Sequence, residues 1–242
     1  MGYRLAFRFR QGHVLVAATL LIYGSVVLSA IFWLLNLWLA VKTKTFEKRR
    51  PLFLLIIAGI IGVTIIYLAA PLDELWHRIY GIDVVIWSLP HVMLIVGGIL
   101  GGLATAGVAR YHITYERRKF FLEKIVIPLF LGSVLAGLML VLAEGEFVKT
   151  LPLDHPVQNR PLWVYPSWLV IFSFTMFMVS KHVSELKLSA VFTLCSYVVL
   201  RMFPVVFNYL YGMPSVPAFP QFVPLLLGMA LIVDIVWQKT KN

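Results

Sequence analysis

Residues 51–91 read PLFLLIIAGIIGVTIIYLAAPLDELWHRIYGIDVVIWSLPH, and the first twenty of them carry no charged side chain. A bilayer core of about 30 Å is crossed by roughly 20 apolar residues in a helix. Hydrocarbon offers the backbone no hydrogen bonds, so a spanning segment must be a helix or part of a closed barrel. An unbroken apolar run of this length selects the helix. Six more such runs occupy approximately residues 14–41, 89–109, 124–143, 166–181, 188–211 and 221–238. The chain as a whole is 60% hydrophobic and 13% charged, with a mean hydropathy of +0.88, outside the range of soluble domains. The sequence therefore predicts an all-α, polytopic transmembrane helix bundle of about seven spans, forming one domain over residues 1–242.

The second half of the quoted stretch changes character. Pro71 is suited to a first helical turn and Gly81 to a helix end, so residues 72–80 are expected to form a short interfacial helix between spans two and three. The first run extends too far and ends in too basic a cluster to resemble a cleaved leader, and it is expected to remain as a span. The single cysteine, Cys195, excludes an intrachain disulfide and a cysteine-built metal framework.

The net charge of +10 arises from residues beside the spans rather than from a polar domain, which argues against nucleic acid as a partner. Lys42, Lys44, Lys48, Arg49 and Arg50 follow the first run; Arg110, Arg117, Arg118, Lys119 and Lys124 follow the third; Lys181 and Lys187 follow the fifth; Lys239 and Lys241 follow the seventh. The positive-inside rule assigns these four segments to the cytoplasm. The remaining connections hold Asp73, Glu74, Asp83, Glu144, Glu146 and Asp154, so the acidic side is expected outside. The chain then belongs in a bacterial inner (plasma) membrane, with its C-terminus cytoplasmic and its N-terminus outside. Arg4, Arg8 and Arg10 oppose that assignment, but the reverse orientation would export the larger cluster after the first run.

The acidic side carries the chemistry-bearing residues. Asp73 and His77 are four apart and share a helix face. Ser88 is suited to N-cap the third span, with Pro90 in its first turn and His91 beside it. Two imidazoles and a carboxylate form a ligand set used for zinc, copper or non-heme iron, with coordination positions left for water or substrate. Asp83 is expected as a fourth ligand or as a partner that orients an imidazole. The competing reading is an interfacial loop in which these groups bond to one another while Trp76, Tyr80 and Trp87 form an aromatic belt.

Arg201 falls near the middle of the sixth span, where a charge must face a partner or water. Its candidate partners are Asp234 of the seventh span and a carboxylate of the outer side; with Asn208 and Glu144 they define an expected intramembrane polar network. Gly97, Gly98, Gly101 and Gly102 give G-x-x-x-G spacings that allow two helices to pack closely. His112 and His182 are expected to be solvated in basic cytoplasmic loops. No H-E-x-x-H, Walker loop or G-x-S-x-G is present.

The Asp73-x3-His77 pair followed by His91 at the next helix start resembles the copper-binding segment of the C subunit of particulate methane and ammonia monooxygenases. That resemblance covers about twenty residues and implies copper held by Asp73, His77 and His91, other membrane subunits as partners, and oxidation of a small apolar substrate. The wider pattern W-H-x-x-Y-G-x-D, then S-x-P-H and a glycine-rich span, is similar to multispanning bacterial membrane proteins and implies no chemistry. The sequence thus leads to a lipid-embedded protein binding a transition-metal ion, copper ahead of zinc or iron, at its outer rim for oxidation chemistry or metal handling. An ion- or proton-coupled transporter using Asp73, Asp83, Arg201 and Asp234, and a structural subunit of a membrane complex, are the alternative classes.

Overall fold

A computed structural model of the protein describes residues 24–44, 47, 49–80, 88–116, 121–139, 164–211 and 222–241. Seven helices are present among them and no strand: α1 (Gly24–Lys42), α2 (Arg50–Tyr80), α3 (Leu89–Glu116), α4 (Ile127–Leu138, entered through a π-helical turn Leu122–Val126), α5 (Val164–Val183), α6 (Ser189–Tyr211) and α7 (Val223–Lys241). Of these, α1, α2, α3 and α7 are long and apolar enough to cross a membrane. Exposed leucine, isoleucine, valine and phenylalanine side chains cover their outer faces, which is the surface a lipid environment requires.

Two apolar cores share α3. Trp33 of α1, Ile56 of α2 and Ala104 of α3 form the smaller one. The larger gathers Ile113, Leu131, Phe177, Leu194 and Leu226, one from each of α3 to α7. Backbone proximity explains why the α2–α3 hairpin is so closely paired. A Cβ on Gly62 would lie 2.8 Å from the Gly97 carbonyl oxygen and 2.8 Å from the Gly101 nitrogen, and one on Gly97 would lie 2.7 Å from the Gly62 carbonyl oxygen. Glycine at both positions lets the two backbones touch, as the spacing of small residues predicts. Gly98 meets nothing within 4 Å and takes no part in this contact.

The expected interfacial helix after Pro71 is corrected. α2 runs unbroken through Pro71 for 31 residues, about 46 Å, longer than a hydrocarbon layer of about 30 Å. A proline deprives one carbonyl of its partner, whereas ending the helix there would free several backbone groups near the membrane, so the kink-prone helix is the cheaper solution. Side-chain ties along the last turns reinforce it: Arg78 Nε donates to Glu74 Oε1 at 2.9 Å, and the Trp76 and Tyr80 rings stand 4.6 Å apart.

Candidate functional site

The C-terminal turns of α2 and the N-terminus of α3 bring Asp73, His77 and His91 together. His77 Nε2 is 3.4 Å from Asp73 Oδ2, and His91 Nε2 is 3.6 Å from Asp73 Oδ1. The carboxylate therefore stands between two rings and presents one oxygen to each. All three side chains are about one-third exposed, at 30%, 30% and 34%. Both separations exceed the usual N–H···O range of about 2.7–3.2 Å, and Asp73 Oδ1, a buried atom, makes no hydrogen bond. Among the described residues, no three His, Cys, Asp or Glu side chains are arranged to hold a metal ion as they stand.

Ser88 departs from its expected role. Its carbonyl accepts from Val92 N at 3.0 Å and so starts α3, but its hydroxyl caps nothing. The residue is 5% exposed and Oγ is buried without a hydrogen bond. Asp83 and Glu144 lie outside the described residues. Asn208 falls within α6, its side chain likewise outside the description.

The far end of the bundle holds a second polar cluster, which the sequence did not reveal. Lys181, expected in a cytoplasmic loop, is buried in the last turn of α5. Its Nζ lies 2.9 Å from Asp234 Oδ1 and donates to the carbonyls of Leu186 and Lys187, both at 2.9 Å. An ammonium has three donors, and each has an acceptor. Asp234, fully buried, also accepts from Ala190 N at 3.3 Å and Val191 N at 3.1 Å. These are orphan amides of the first turn of α6, so a carboxylate from α7 caps α6 at the positive end of its dipole. Buried Glu123, on the π-helical turn, accepts from Glu185 N at 2.7 Å. Arg110 Nη1 reaches Glu185 Oε1 at 3.0 Å, and Gln238 Nε2 donates to the Lys187 carbonyl at 2.9 Å. Elements α3, α4, α5, α6 and α7 are thereby fastened around one turn.

Asp234 is thus committed to Lys181 and α6, not to Arg201. Arg201 lies eleven residues beyond Ala190 on α6, about 16 Å away along the axis, with its Nε buried and without a hydrogen bond. The two sit at different heights in the bundle, about 16 Å apart along the axis.

His112 also differs from expectation. α3 continues past it, and its half-buried ring lines a cavity of about 440 Å³ between α1, α3 and α4 with Asn36, Thr105 and Phe130. His182, expected in a loop, stands in the last turn of α5; it is exposed, and its ring packs edge-on against Trp237 at 4.7 Å between centroids. No protein-family model matches this sequence, and no curated protein or solved structure was found to be similar to it.

Proposed function

We propose that this is a seven-span membrane protein that binds one transition-metal ion, copper foremost, at its outer rim through Asp73, His77 and His91, for oxidation chemistry or metal handling. The observation that carries this reading is the Asp73 carboxylate set between two imidazoles with a buried oxygen left without a hydrogen bond. Two donors bound at about 2.0–2.1 Å to a tetrahedral ion stand about 3.3–3.4 Å apart, close to the 3.4 and 3.6 Å found here. Drawing all three onto one ion requires a side-chain rotation, and their partial exposure leaves room for it. One carboxylate with two neutral imidazoles suits copper, zinc or iron and leaves further coordination positions to water or a substrate arriving from the lipid.

The seven-span topology rests on α5 and α6, at 20 and 23 residues, being long enough at about 1.5 Å per residue, and on α4 packing between α3 and α6. The basic ends of α3, α5 and α7 meet at the Lys181 cluster, which the positive-inside rule assigns to the cytoplasm. That leaves the Asp73 rim outside.

Elemental analysis of detergent-purified protein, chelated and then reloaded, tests the site. One ion per chain in the wild type and none in His77→Ala or His91→Ala is the expected result. Equal metal in the wild type and in a chain carrying both His77→Ala and His91→Ala removes the proposal.

A further inference from the structure

Away from the rim, the cavity of about 440 Å³ between α1, α3 and α4 falls within the range of about 300–1,000 Å³ typical of small-molecule sites. His91 and His112 are 21 residues apart on α3, about 30 Å, so the cavity and the rim are separate places. The two ends of the cavity differ. The connections that follow α1 and α3 are short, which sets the last turns of α1 and α3 and the approach to α4 at the same, basic end of the bundle. At that end the cavity is lined by Asn36, His112 and Leu122, and away from it by Leu28, Thr105 and Phe130. Leu28 is eight residues from Asn36 on α1, and Phe130 is eight from Leu122, about 12 Å in each case. The space is therefore elongated along the helices, with its hydrogen-bonding groups gathered toward one end.

The lining chooses among ligands. Asn36 Nδ2 donates to the Phe32 carbonyl at 2.8 Å, which uses one of its two amide hydrogens and leaves its own oxygen as an acceptor. A neutral imidazole adds one donor and one acceptor. Thr105 Oγ1, by contrast, spends its proton on the Gly101 carbonyl at 2.8 Å. No Asp, Glu, Lys or Arg is among the lining residues, so a charged head would lose its hydration without gaining a counter-charge. Phe32, Trp33 and Phe130 contribute three rings, against which a planar ring packs in offset or edge-on contact. Leu28 and Phe32 are also exposed, so the cavity borders the surface that faces lipid.

We propose that this cavity binds a neutral, lipid-borne ring compound bearing carbonyl or hydroxyl oxygens, the chemistry of quinones and quinols. Asn36 and His112 bond to the ring oxygens, Phe32, Trp33 and Phe130 pack against the ring, and an apolar tail passes Leu28 into the bilayer. A quinone offers only acceptors and a quinol adds donors; a carboxamide beside an imidazole serves either. The inference stands independently of the metal-site reading, since it shares no residue with the rim.

The test titrates the full chain in detergent with decylubiquinone, a fully substituted quinone that does not alkylate Cys195, and follows the quenching of tryptophan fluorescence. Saturable quenching is expected in the wild type. His112→Phe and Asn36→Leu should each weaken it about 2- to 10-fold, the worth of one hydrogen bond. Ser29→Phe, which fills the cavity from α1, should abolish it. Thr64→Phe, which fills the neighbouring cavity between α1 and α2, should leave it unchanged. Decyl phosphate, with the same chain on an anionic head, should not displace the quinone. Quenching that does not saturate in the wild type overturns the site, as does saturable quenching of wild-type strength in both Ser29→Phe and His112→Phe. Loss in Thr64→Phe alone moves the ligand to the other cavity, and displacement by decyl phosphate overturns the neutral head.

Discussion

The two ends of the bundle each gather charged and polar side chains, and they solve the burial problem in opposite ways. At the basic end, Lys181 has three donors and three acceptors, and Asp234 divides its two oxygens among an ammonium and two amides. Every donor of the ammonium is thereby used. At the acidic end, Asp73 stands beside two rings at distances longer than hydrogen bonds, with one oxygen that makes no hydrogen bond. A saturated cluster fixes structure, whereas an unsaturated one, partly open to solvent, retains the capacity to take a ligand. The function proposed for the acidic end rests on this difference between the two clusters.

Substitutions should separate the two ends, and the largest effect is expected at the basic one. Lys181→Met leaves Asp234 as an uncompensated buried charge and should cost about 3–5 kcal/mol. Thermal denaturation in detergent would show this, with metal per folded chain unchanged. Adding Asp234→Leu should recover most of that loss, since an apolar pair can replace a buried ion pair. About 1 kcal/mol should stay lost, because the α6 amides lose their cap.

The hairpin contact comes next. Gly97→Val places side-chain atoms where the Gly62 carbonyl now sits, and should cost about 1–3 kcal/mol by overpacking. It should also lower metal occupancy, because the packing that sets Asp73 of α2 beside His91 of α3 is disturbed. Gly98→Ala, one residue on and facing open space, should leave both unchanged. If Gly97→Val keeps full metal occupancy, the hairpin register does not organise the rim.

Smaller effects bound the comparison. Glu123→Ala strips the acceptor from the Glu185 amide and should cost about 1 kcal/mol while leaving metal untouched. Glu74→Ala breaks an exposed pair with Arg78 and should change stability by less than about 1 kcal/mol. Loss of metal in Glu74→Ala would mean that the rim responds to charge in general rather than to its particular donors.

Much of this fold is legible in the sequence because apolar runs carry it. Among the described residues each of the seven runs falls on a helix, and the G-x-x-x-G spacing marked α3 as a helix that a neighbour approaches closely. The convergence of Asp73, His77 and His91 was also legible, since helix periodicity fixes the first pair and the short connection brings in the third. What escaped depends on three-dimensional neighbours. Pro71 reads as a helix start, yet the helix passes through it because the alternative exposes more backbone. Lys181 reads as a topology signal, and only the fold of the α5–α6 turn shows it buried against a carboxylate 53 residues away. Ser88 reads as a cap, and only the packed hairpin reveals a hydroxyl with nothing to bond. His112 reads as a loop residue because its basic neighbours mask the continuation of α3.

The contrast between the ends is tested most directly by metal-dependent thermal stabilisation, measured in parallel on the wild type, Asp73→Asn and Lys181→Met. A ligand bound only by the folded chain raises its stability by about 2.7 kcal/mol at a hundred times its dissociation constant. Copper should raise the melting temperature of the wild type and, from a lower starting point, of Lys181→Met, and should leave Asp73→Asn unmoved. Equal stabilisation of Asp73→Asn, or none in any of the three, would contradict the assignment of the acidic rim as the binding end.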